Sequence, residues 1–307
     1  MINKNSSKFK LWFSAARLRT LPLSVSGIFV GSFASFTDNN FNSSIFFLAI
    51  ATTISYQVLS NFANDYGDGV KGTDINRVGP KRTVQSGLIT SKEMKKTIIA
   101  ASIISFLLTI SLVFTSFKNS PFYLLLFLIL GLLAIIAAIK YTVGNNPYGY
   151  IGFGDLFVFI FFGLISVLGS NFLFTSKLNL SLLYPALTIG LLSVGVLNLN
   201  NMRDVQNDKL AGKKTVSVRM GIDNSKFYHF LLISISIILM VSFLIKQKSC
   251  SLILTLLTFV NIIWLIYDLY RVYKIKDPKE FDFFLKPLVL ATVFYSISLS
   301  INFAYLI

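Results

Sequence analysis

Two short clusters of carboxylate and amide side chains are the residues of this sequence best suited to chemistry. Residues 61–74 read NFANDYGDGVKGTD and residues 200–208 read NNMRDVQND. They hold five of the only 13 acidic residues in a 307-residue chain. Carboxylate and amide oxygens are the hard ligands that Mg²⁺ prefers, and Mg²⁺ often completes its shell with substrate phosphate oxygens. The clusters therefore predict a binding site for a magnesium-bound diphosphate.

Helical spacing places these polar side chains on two stripes. Each cluster follows a long apolar segment, and residues three or four apart share one face if the helix continues through the cluster. Any one aspartate at a membrane edge is more simply read as a solvated residue, but ionisable groups at membrane depth are costly and usually functional. We therefore interpret the two stripes together as a binding surface. They comprise Asn61, Asn64, Asp65 and Asp68 in the first cluster and Asn201, Asp204 and Asp208 in the second, with Asn200 adjoining.

Membrane-spanning helices are the elements that must position the stripes. With 54% apolar residues, 13% charged residues and a mean hydropathy of +0.69, the composition excludes a soluble globule. A spanning helix needs about 20 mainly apolar residues. We predict an all-α polytopic membrane protein with a single domain over residues 1–307. Its nine spans are predicted at 20–37, 43–64, 97–117, 121–140, 152–174, 180–199, 228–246, 250–270 and 286–306.

The distribution of basic residues tests both the number of spans and their orientation. The N-terminus and the even-numbered connections carry 24 Lys and Arg, whereas the odd-numbered connections carry 4. Basic residues stay on the cytoplasmic side of short loops. The sequence therefore predicts a cytoplasmic-membrane protein with its N-terminus in the cytoplasm, its C-terminus outside, and both clusters at the cytoplasmic edge.

The basic residues beside the clusters have a second expected role. The net charge is +15, but the basic residues are spread over loops that flank hydrocarbon, so we expect no nucleic-acid partner. No feature indicates an obligate protein partner. Cations near the clusters are suited to binding phosphate oxygens and to stabilising a departing diphosphate. We favour Arg19, Arg82 and Arg203, followed by Lys81, Lys213, Lys214 and Arg219.

Three smaller features predict local structure. Thr90 and Glu93 have the spacing of a capping box at the start of a helix. Gly27 and Gly31 form a small-xxx-small pair, which favours close helix packing over substrate contact. His229 is expected at the membrane interface rather than in a metal site.

The segment YTVGNNPYGYIGFGD at 141–155 is the best candidate for the side of the site that receives an aromatic acceptor. Its glycines and proline permit an irregular backbone, and its tyrosines are suited to facing a cation or a flat ring. Interfacial tyrosines are also common without any function. The residues singled out are Tyr141, Tyr148, Tyr150 and Asp155, together with Lys140 as a phosphate contact or a snorkelling side chain.

Five sequence segments carry a family resemblance that covers nearly the whole chain. They are RLRTLPLSVSG at 17–27, NDYGDGVKGTD at 64–74, GPKRTVQSGLIT at 79–90, YTVGNNPYGYIGFGD at 141–155 and NNMRDVQNDKLAGKKTVSVRMG at 200–221. Together they resemble the UbiA-type intramembrane aromatic prenyltransferases, and within them the branch that uses 1,4-dihydroxy-2-naphthoate. The resemblance implies nine transmembrane helices around a central cleft. It also implies a Mg²⁺ ion held by Asn64, Asp65, Asp68, Asn201, Asp204 and Asp208.

The same resemblance implies an electrophilic aromatic substitution. Mg²⁺ would draw charge from the diphosphate of a polyprenyl donor, and ionisation would leave an allylic cation that a cleft within helices shields from water. The ring of 1,4-dihydroxy-2-naphthoate then attacks and loses its carboxylate as CO₂, giving a demethylmenaquinol. Four aspartates, Asp65, Asp68, Asp204 and Asp208, and Tyr141 are the implied catalytic residues.

One residue departs from the pattern of the broader family. The first motif of that family places its last aspartate four residues after the middle one, whereas Asp74 follows Asp68 by six. The naphthoate branch resembles this longer spacing. Asp74 also follows three glycines and is expected in a loop, so its role as a metal ligand stays open.

Two alternatives remain at this point. The same fold can serve another acceptor, such as 4-hydroxybenzoate, homogentisate or haem. From a different class, a cation-coupled transporter would also use acidic residues in a membrane. Transporters commonly mark their sites with helices broken near the bilayer midplane. Here the acids lie at one edge of the membrane, and Pro22, Pro121 and Pro287 lie at the starts of predicted spans. These positions argue against a transporter.

Overall fold

Nine membrane-crossing helical segments make up most of the chain that the computed structural model describes, residues 8–73, 82–247 and 251–305. Each is long and apolar enough to cross a bilayer. The predicted all-α fold with nine spans is confirmed, and the protein is a multi-pass membrane protein. Two residues with predicted roles, Asp74 and Lys81, lie outside the described ranges.

Twelve α-helices lie within the described residues, because the first and fifth spans are each interrupted and one short helix lies between spans. A π-helical segment, Phe159–Gly169, interrupts the fifth span and joins α6 to α7. The helices are α1 (Lys8–Ala16), α2 (Leu21–Ala34), α3 (Ser43–Lys71), α4 (Ser91–Phe117), α5 (Pro121–Lys140), α6 (Gly154–Val158), α7 (Ser170–Thr175), α8 (Leu183–Leu210), α9 (Val216–Met220), α10 (Ile222–Lys246), α11 (Leu252–Lys274) and α12 (Asp282–Tyr305).

The two longest helices, α3 and α8, exceed by several residues what a membrane requires. α3 has 29 residues and α8 has 28, whereas about 20 residues cross the hydrocarbon. Their extra turns carry the two polar clusters, so both clusters are helical up to Lys71 and Leu210. The helical continuation on which the two stripes depend is therefore confirmed.

The first span begins with a helix that the sequence analysis did not predict. Helix α1 buries Leu11, Ala15 and Ala16, and the ring of Trp12 packs edge-on against Phe62 at 5.8 Å. The lysines of this segment made it look like a polar tail. The spacing of Leu11 and Ala15, four residues apart, was the signal of a buried helical face.

The described residues form two compact units, each with its own apolar core. One unit takes residues from 8–21, 47–154 and 206–215, and the other takes residues from 22–46, 155–205 and 216–305. Helices α3 and α8 pass from one unit to the other. The single domain over residues 1–307 stays a prediction.

Within the second unit, close packing explains the two small residues of the first span, Gly27 and Gly31. A Cβ atom on Gly27 would overlap the side chain of Ser166, and one on Gly31 would overlap the backbone carbonyl of Val167. The predicted close packing of this glycine pair is confirmed, and its partner is the π-helical segment. The backbone carbonyl cannot move away as a side chain can, so Gly31 is the less replaceable of the two.

We expect Gly31→Ala to lower the free energy of unfolding by about 1–3 kcal/mol, the usual cost of overpacking. Gly169→Ala, in the π-helical segment that packs against Gly31, is the matched control, because its new methyl would meet Ile165 at an ordinary 3.6 Å. Thermal unfolding in detergent measures both. Equal unfolding temperatures for the two variants would contradict the packing explanation.

Two further local predictions concern the start of α4 and His229. The capping box is confirmed, because the Glu93 amide donates to Thr90 Oγ1 at 3.2 Å and the Thr90 amide donates to Glu93 Oε2 at 3.0 Å. His229 is buried, at only 1% exposed, and its expected position at the membrane interface stays a prediction. It packs against α8, where a Cβ on Gly195 would meet the imidazole at an ordinary 3.6 Å.

Candidate active site

Asp68 is the most heavily bonded carboxylate of the first cluster. It lies in the last turn of α3 and is 2% exposed. Its Oδ2 accepts from Arg82 Nη2 at 2.7 Å, and its Oδ1 accepts from the Tyr150 hydroxyl at 2.6 Å and from Lys213 Nζ at 3.1 Å. One buried carboxylate thus faces two cations and a phenol. Such a concentration of charge points to a site rather than to a solvated helix end.

Lys213 joins the two polar clusters. Its Nζ lies 3.1 Å from Asp68 Oδ1 and 3.5 Å from Asp208 Oδ1. The turn after α8 directs it there: Gly212 adopts φ +71°, and the Lys213 amide donates to the Asp208 carbonyl at 2.8 Å. This hydrogen bond caps the helix end, where glycine is favoured because it takes positive φ without strain. The final carboxylates of both stripes therefore face one ammonium group.

Asp65 holds the chain that follows the first cluster. Its Oδ2 accepts from the amide and hydroxyl of Thr83 at 3.0 and 2.9 Å, and its Oδ1 accepts from the Val84 amide at 3.0 Å. Gly69 allows this close approach, because a Cβ there would lie 2.7 Å from Val84. Both carboxylate oxygens of Asp65 are engaged in fixing the residues next to Arg82. Its part as a direct metal ligand stays a prediction.

In the segment 141–155, it is Tyr150 rather than Tyr141 that donates a hydrogen bond to Asp68. Lys71 Nζ and Lys213 Nζ lie 4.5 and 4.7 Å from the centroid of the Tyr150 ring. The Lys214 amide donates to the Tyr150 carbonyl at 2.7 Å, which ties this segment to the turn that carries Lys213. Tyr150 was one of three tyrosines considered from the sequence, and contacts made across the fold distinguish it.

Tyr141 instead packs edge-on against Tyr148, with centroids 5.3 Å apart. The Tyr148 hydroxyl donates to the Ala137 carbonyl at 2.9 Å, and burial raises the pKa of this hydroxyl. Lys140 is exposed at the end of α5. The predicted roles of Tyr141 and Lys140 are not decided by these positions.

The asparagines of the first stripe connect elements. Asn61 is 2% exposed, and its Nδ2 donates to the Ala16 carbonyl at 2.8 Å, which fixes the connection between α1 and α2. Asn64 Oδ1 accepts from the Thr142 hydroxyl at 3.1 Å. Arg19 is exposed in the connection that Asn61 holds.

The part of the second cluster that lies in the second compact unit, residues 200–205, is organised around Arg203. The Arg203 side chain is fully buried, and its Nε and Nη2 donate to Asp204 at 2.8 and 2.7 Å. Its remaining contacts are Asn200 Oδ1 at 2.6 Å and Asp282 Oδ1 at 2.5 Å. Sequence analysis missed Asp282, since 79 residues separate it from Arg203. Asn201, the other amide of this stripe, is 8% exposed.

Asp155 lies in the same unit as Arg203. It begins α6 with Gly154, and its Oδ2 accepts from the Tyr228 hydroxyl at 3.1 Å. This contact links the fifth span to α10. The substrate role predicted for Asp155 stays a prediction.

The donor set fits a magnesium ion that shares its shell with a phosphate. In residues 8–73, 82–247 and 251–305, no three carboxylate, imidazole or thiol side chains converge closely enough to hold a metal. Mg²⁺ usually takes one or two carboxylates and completes its shell with waters and substrate phosphates. Asp68 and Asp208 are such a pair, because both carboxylates contact the Lys213 ammonium group.

Comparison with known proteins places this chain in a family. The model of the UbiA prenyltransferase family matches residues 24–297, and the chain belongs to that family. It is 44% identical to the 1,4-dihydroxy-2-naphthoate octaprenyltransferase of Haemophilus influenzae over 246 residues, 79% of each chain. It is 43% identical to the enzyme of the same name from Escherichia coli, again over 79% of each chain.

Solved structures agree with this family in fold. A UbiA homolog from Archaeoglobus fulgidus bound to DMAPP and Mg²⁺ matches with a TM-score of 0.69 at 13% identity, covering 96% of this chain and 99% of that one. The apo structure of a UbiA homolog from Aeropyrum pernix matches with a TM-score of 0.67 at 15% identity, covering 93% and 97%. At these identities the likeness shows the fold alone.

Proposed function

We propose that this protein transfers a polyprenyl chain from polyprenyl diphosphate to 1,4-dihydroxy-2-naphthoate, releasing diphosphate and CO₂ and giving a demethylmenaquinol. The names and identities of the bacterial relatives support the choice of acceptor. The observation that carries the chemistry is the pair of buried carboxylates, Asp68 and Asp208, that face the same Lys213 ammonium. The two carboxylates would bind a metal ion, and the cations beside them would bind the oxygens of a diphosphate.

Asp68 and Asp208 would hold Mg²⁺, which when bound supplies Lewis-acid stabilisation of the diphosphate leaving group. Asn64 Oδ1 is a further oxygen on the stripe of Asp68. Asp204, one helical turn before Asp208 on α8, stays a predicted ligand, and Arg203 holds its carboxylate.

The cations around Asp68 stabilise charge on the departing diphosphate. Arg82 and Lys213 both contact that carboxylate, at 2.7 and 3.1 Å, so they lie within reach of a phosphate that binds beside it. A guanidinium and an ammonium each form short, charge-assisted hydrogen bonds to phosphate oxygens. Such bonds strengthen as negative charge develops on the leaving group, and this differential stabilisation accelerates ionisation.

Tyr150 and Asp65 orient these charged groups. The Tyr150 hydroxyl fixes Asp68 Oδ1, and its ring lies against the ammonium groups of Lys71 and Lys213. Asp65 fixes the backbone beside Arg82 through Thr83. Groups held in this way need not reorganise during the reaction, which is the main source of electrostatic catalysis.

The basic loops support a cytoplasmic position for this chemistry. The ends of α3 and α8 that carry the clusters continue into even-numbered connections, which are the ones rich in Lys and Arg. Basic connections of this kind stay in the cytoplasm. We therefore assign the site to the cytoplasmic surface of the membrane, with the N-terminus in the cytoplasm and the C-terminus outside.

Product analysis tests the proposed reaction. Purified protein in lipid is given a polyprenyl diphosphate with Mg²⁺ and, separately, 1,4-dihydroxy-2-naphthoate, 4-hydroxybenzoate or homogentisate. We expect a prenylated lipid with the mass of a demethylmenaquinol from the naphthoate alone, and no product once EDTA removes Mg²⁺. Product from another acceptor alone would overturn the assignment of the naphthoate as acceptor. The absence of product from every acceptor would overturn the assignment of the protein as a prenyltransferase.

A further inference from the structure

A basic groove lies within the second compact unit, and none of its lining residues belongs to the aspartate clusters. It lies between the start of α10 and the end of α11 and encloses about 730 Å³. Three lysines line it, Lys226, Lys274 and Lys276, against the single carboxylate of Asp223. The groove therefore carries a net positive charge at the ends of two membrane-crossing helices.

The groove lies at the end of its unit that holds Arg203 and Asp204. Lys226 Nζ on α10 donates to the Ile275 carbonyl at 2.5 Å, which places the start of α10 beside the end of α11. The connection after α11 leads to Asp282, whose Oδ1 lies 2.5 Å from Arg203 Nη1. Both features belong to the same ends of the helices and hence to the same membrane surface.

The lysines lie at the polar edge of the groove. Besides the Ile275 contact, Lys226 Nζ donates to the Tyr273 carbonyl at 3.3 Å, so carbonyls at the end of α11 hold this ammonium group in place. The Lys274 ammonium lies 4.1 Å from the centroid of the Tyr270 ring. Lys276 is the second residue after the helix. A phosphate group is the natural ligand of such a set.

Exposed aromatic rings continue the groove away from the lysines. Asp223, Lys226, Phe227 and Phe230 follow one another at helical spacing, so they share one face of α10. Phe227 and Phe230 are stacked, with centroids 6.3 Å apart, and are 60% and 46% exposed. Tyr273 on α11 is 73% exposed. The Phe227 ring lies beside Lys226 and the Phe230 ring lies one turn deeper along α10. Charge next to apolar rings that extend along the helix matches a headgroup and an acyl chain, whereas a free phosphate would use only the lysines.

We propose that this groove binds an anionic phospholipid, with its phosphate against the three lysines and an acyl chain along Phe227 and Phe230. Basic pockets between transmembrane helices on the cytoplasmic side are the usual sites for anionic headgroups. The bound lipid would cover the exposed aromatic faces and reduce the excess positive charge. The inference does not depend on the transferase reaction.

Lipid retention tests this site. Protein in nanodiscs of equal parts phosphatidylcholine and phosphatidylglycerol is released and examined by native mass spectrometry. We expect the wild-type chain to retain phosphatidylglycerol in preference. The triple variant Lys226→Gln, Lys274→Gln, Lys276→Gln should reduce that preference by at least about tenfold, since each lysine near a membrane surface contributes about fivefold.

The matched control replaces Lys92, Lys95 and Lys96, three exposed lysines at the start of α4, by glutamine. It makes the same change in net charge and should keep the preference. A triple groove variant that retains phosphatidylglycerol like the wild type would overturn the site. So would displacement of the bound lipid from the wild type by millimolar inorganic phosphate, because the groove would then be a general anion site.

Discussion

Replacing Asp68 by asparagine is expected to lower polyprenyl transfer about a hundred- to a thousandfold, the usual cost of removing a group that stabilises charge in the transition state. The Asp68 carboxylate is where Arg82, Tyr150 and Lys213 meet, so its charge sets the position of every cation that we assign to the diphosphate. Asp208→Asn should lose activity to a similar degree, because Asp208 faces the same ammonium group. Initial rates with saturating naphthoate measure both.

Asp38→Asn is the control for these two variants. It makes the same chemical change at an exposed aspartate that lies in neither cluster, and it should leave the rate unchanged. Membrane insertion, followed by fractionation, should be normal in all three. Rates near the wild-type value in Asp68→Asn and Asp208→Asn would show that these carboxylates do not serve the diphosphate.

Asp65→Asn is expected to lose both activity and stability. Its carboxylate accepts three hydrogen bonds from Thr83 and Val84, and an asparagine amide would turn an NH₂ group toward at least one of those donors. Each buried group left without its partner costs about 1–3 kcal/mol. The segment that carries Arg82 should then loosen, so the unfolding temperature and the rate should fall together.

Thr83→Val separates anchoring from metal binding. It removes the hydroxyl bond to Asp65, at 2.9 Å, but leaves the carboxylate and both amide bonds in place. We expect a smaller loss of stability than in Asp65→Asn, with a matching smaller loss of rate. If Asp65→Asn keeps its unfolding temperature and loses only turnover, Asp65 is a direct ligand rather than an anchor.

The spans and the helical clusters could be predicted because their signals are local. Long apolar runs decide where helices cross the bilayer, and the basic loops test their number independently. The stripe that contains Asp65 and Asp68 follows from helical periodicity once α3 continues to Lys71. The close packing at Gly31 was likewise visible as a small-xxx-small spacing, although its partner was not.

The contacts that organise the site depend on tertiary structure and could not be read from spacing. Lys213 is 145 residues from Asp68, and Tyr150 is 82 residues from it. In the sequence, Lys213 is one of several basic residues of a loop predicted to be cytoplasmic, and Tyr150 is one of three neighbouring tyrosines. Asp282 had no local signal at all. Burial of Asp65 against Thr83 also depends on how residues 82–84 return to α3.

The most direct test is a titration of the purified protein with Mn²⁺, which takes the same oxygen ligands as Mg²⁺ and is visible by electron paramagnetic resonance. It is carried out with a polyprenyl thiolodiphosphate, a donor analogue that resists ionisation. We predict that the analogue tightens Mn²⁺ binding to the wild-type chain, and that Asp68→Asn and Asp208→Asn each weaken it at least about tenfold. Mn²⁺ binding of wild-type strength in both variants would contradict a metal held between the two aspartate clusters.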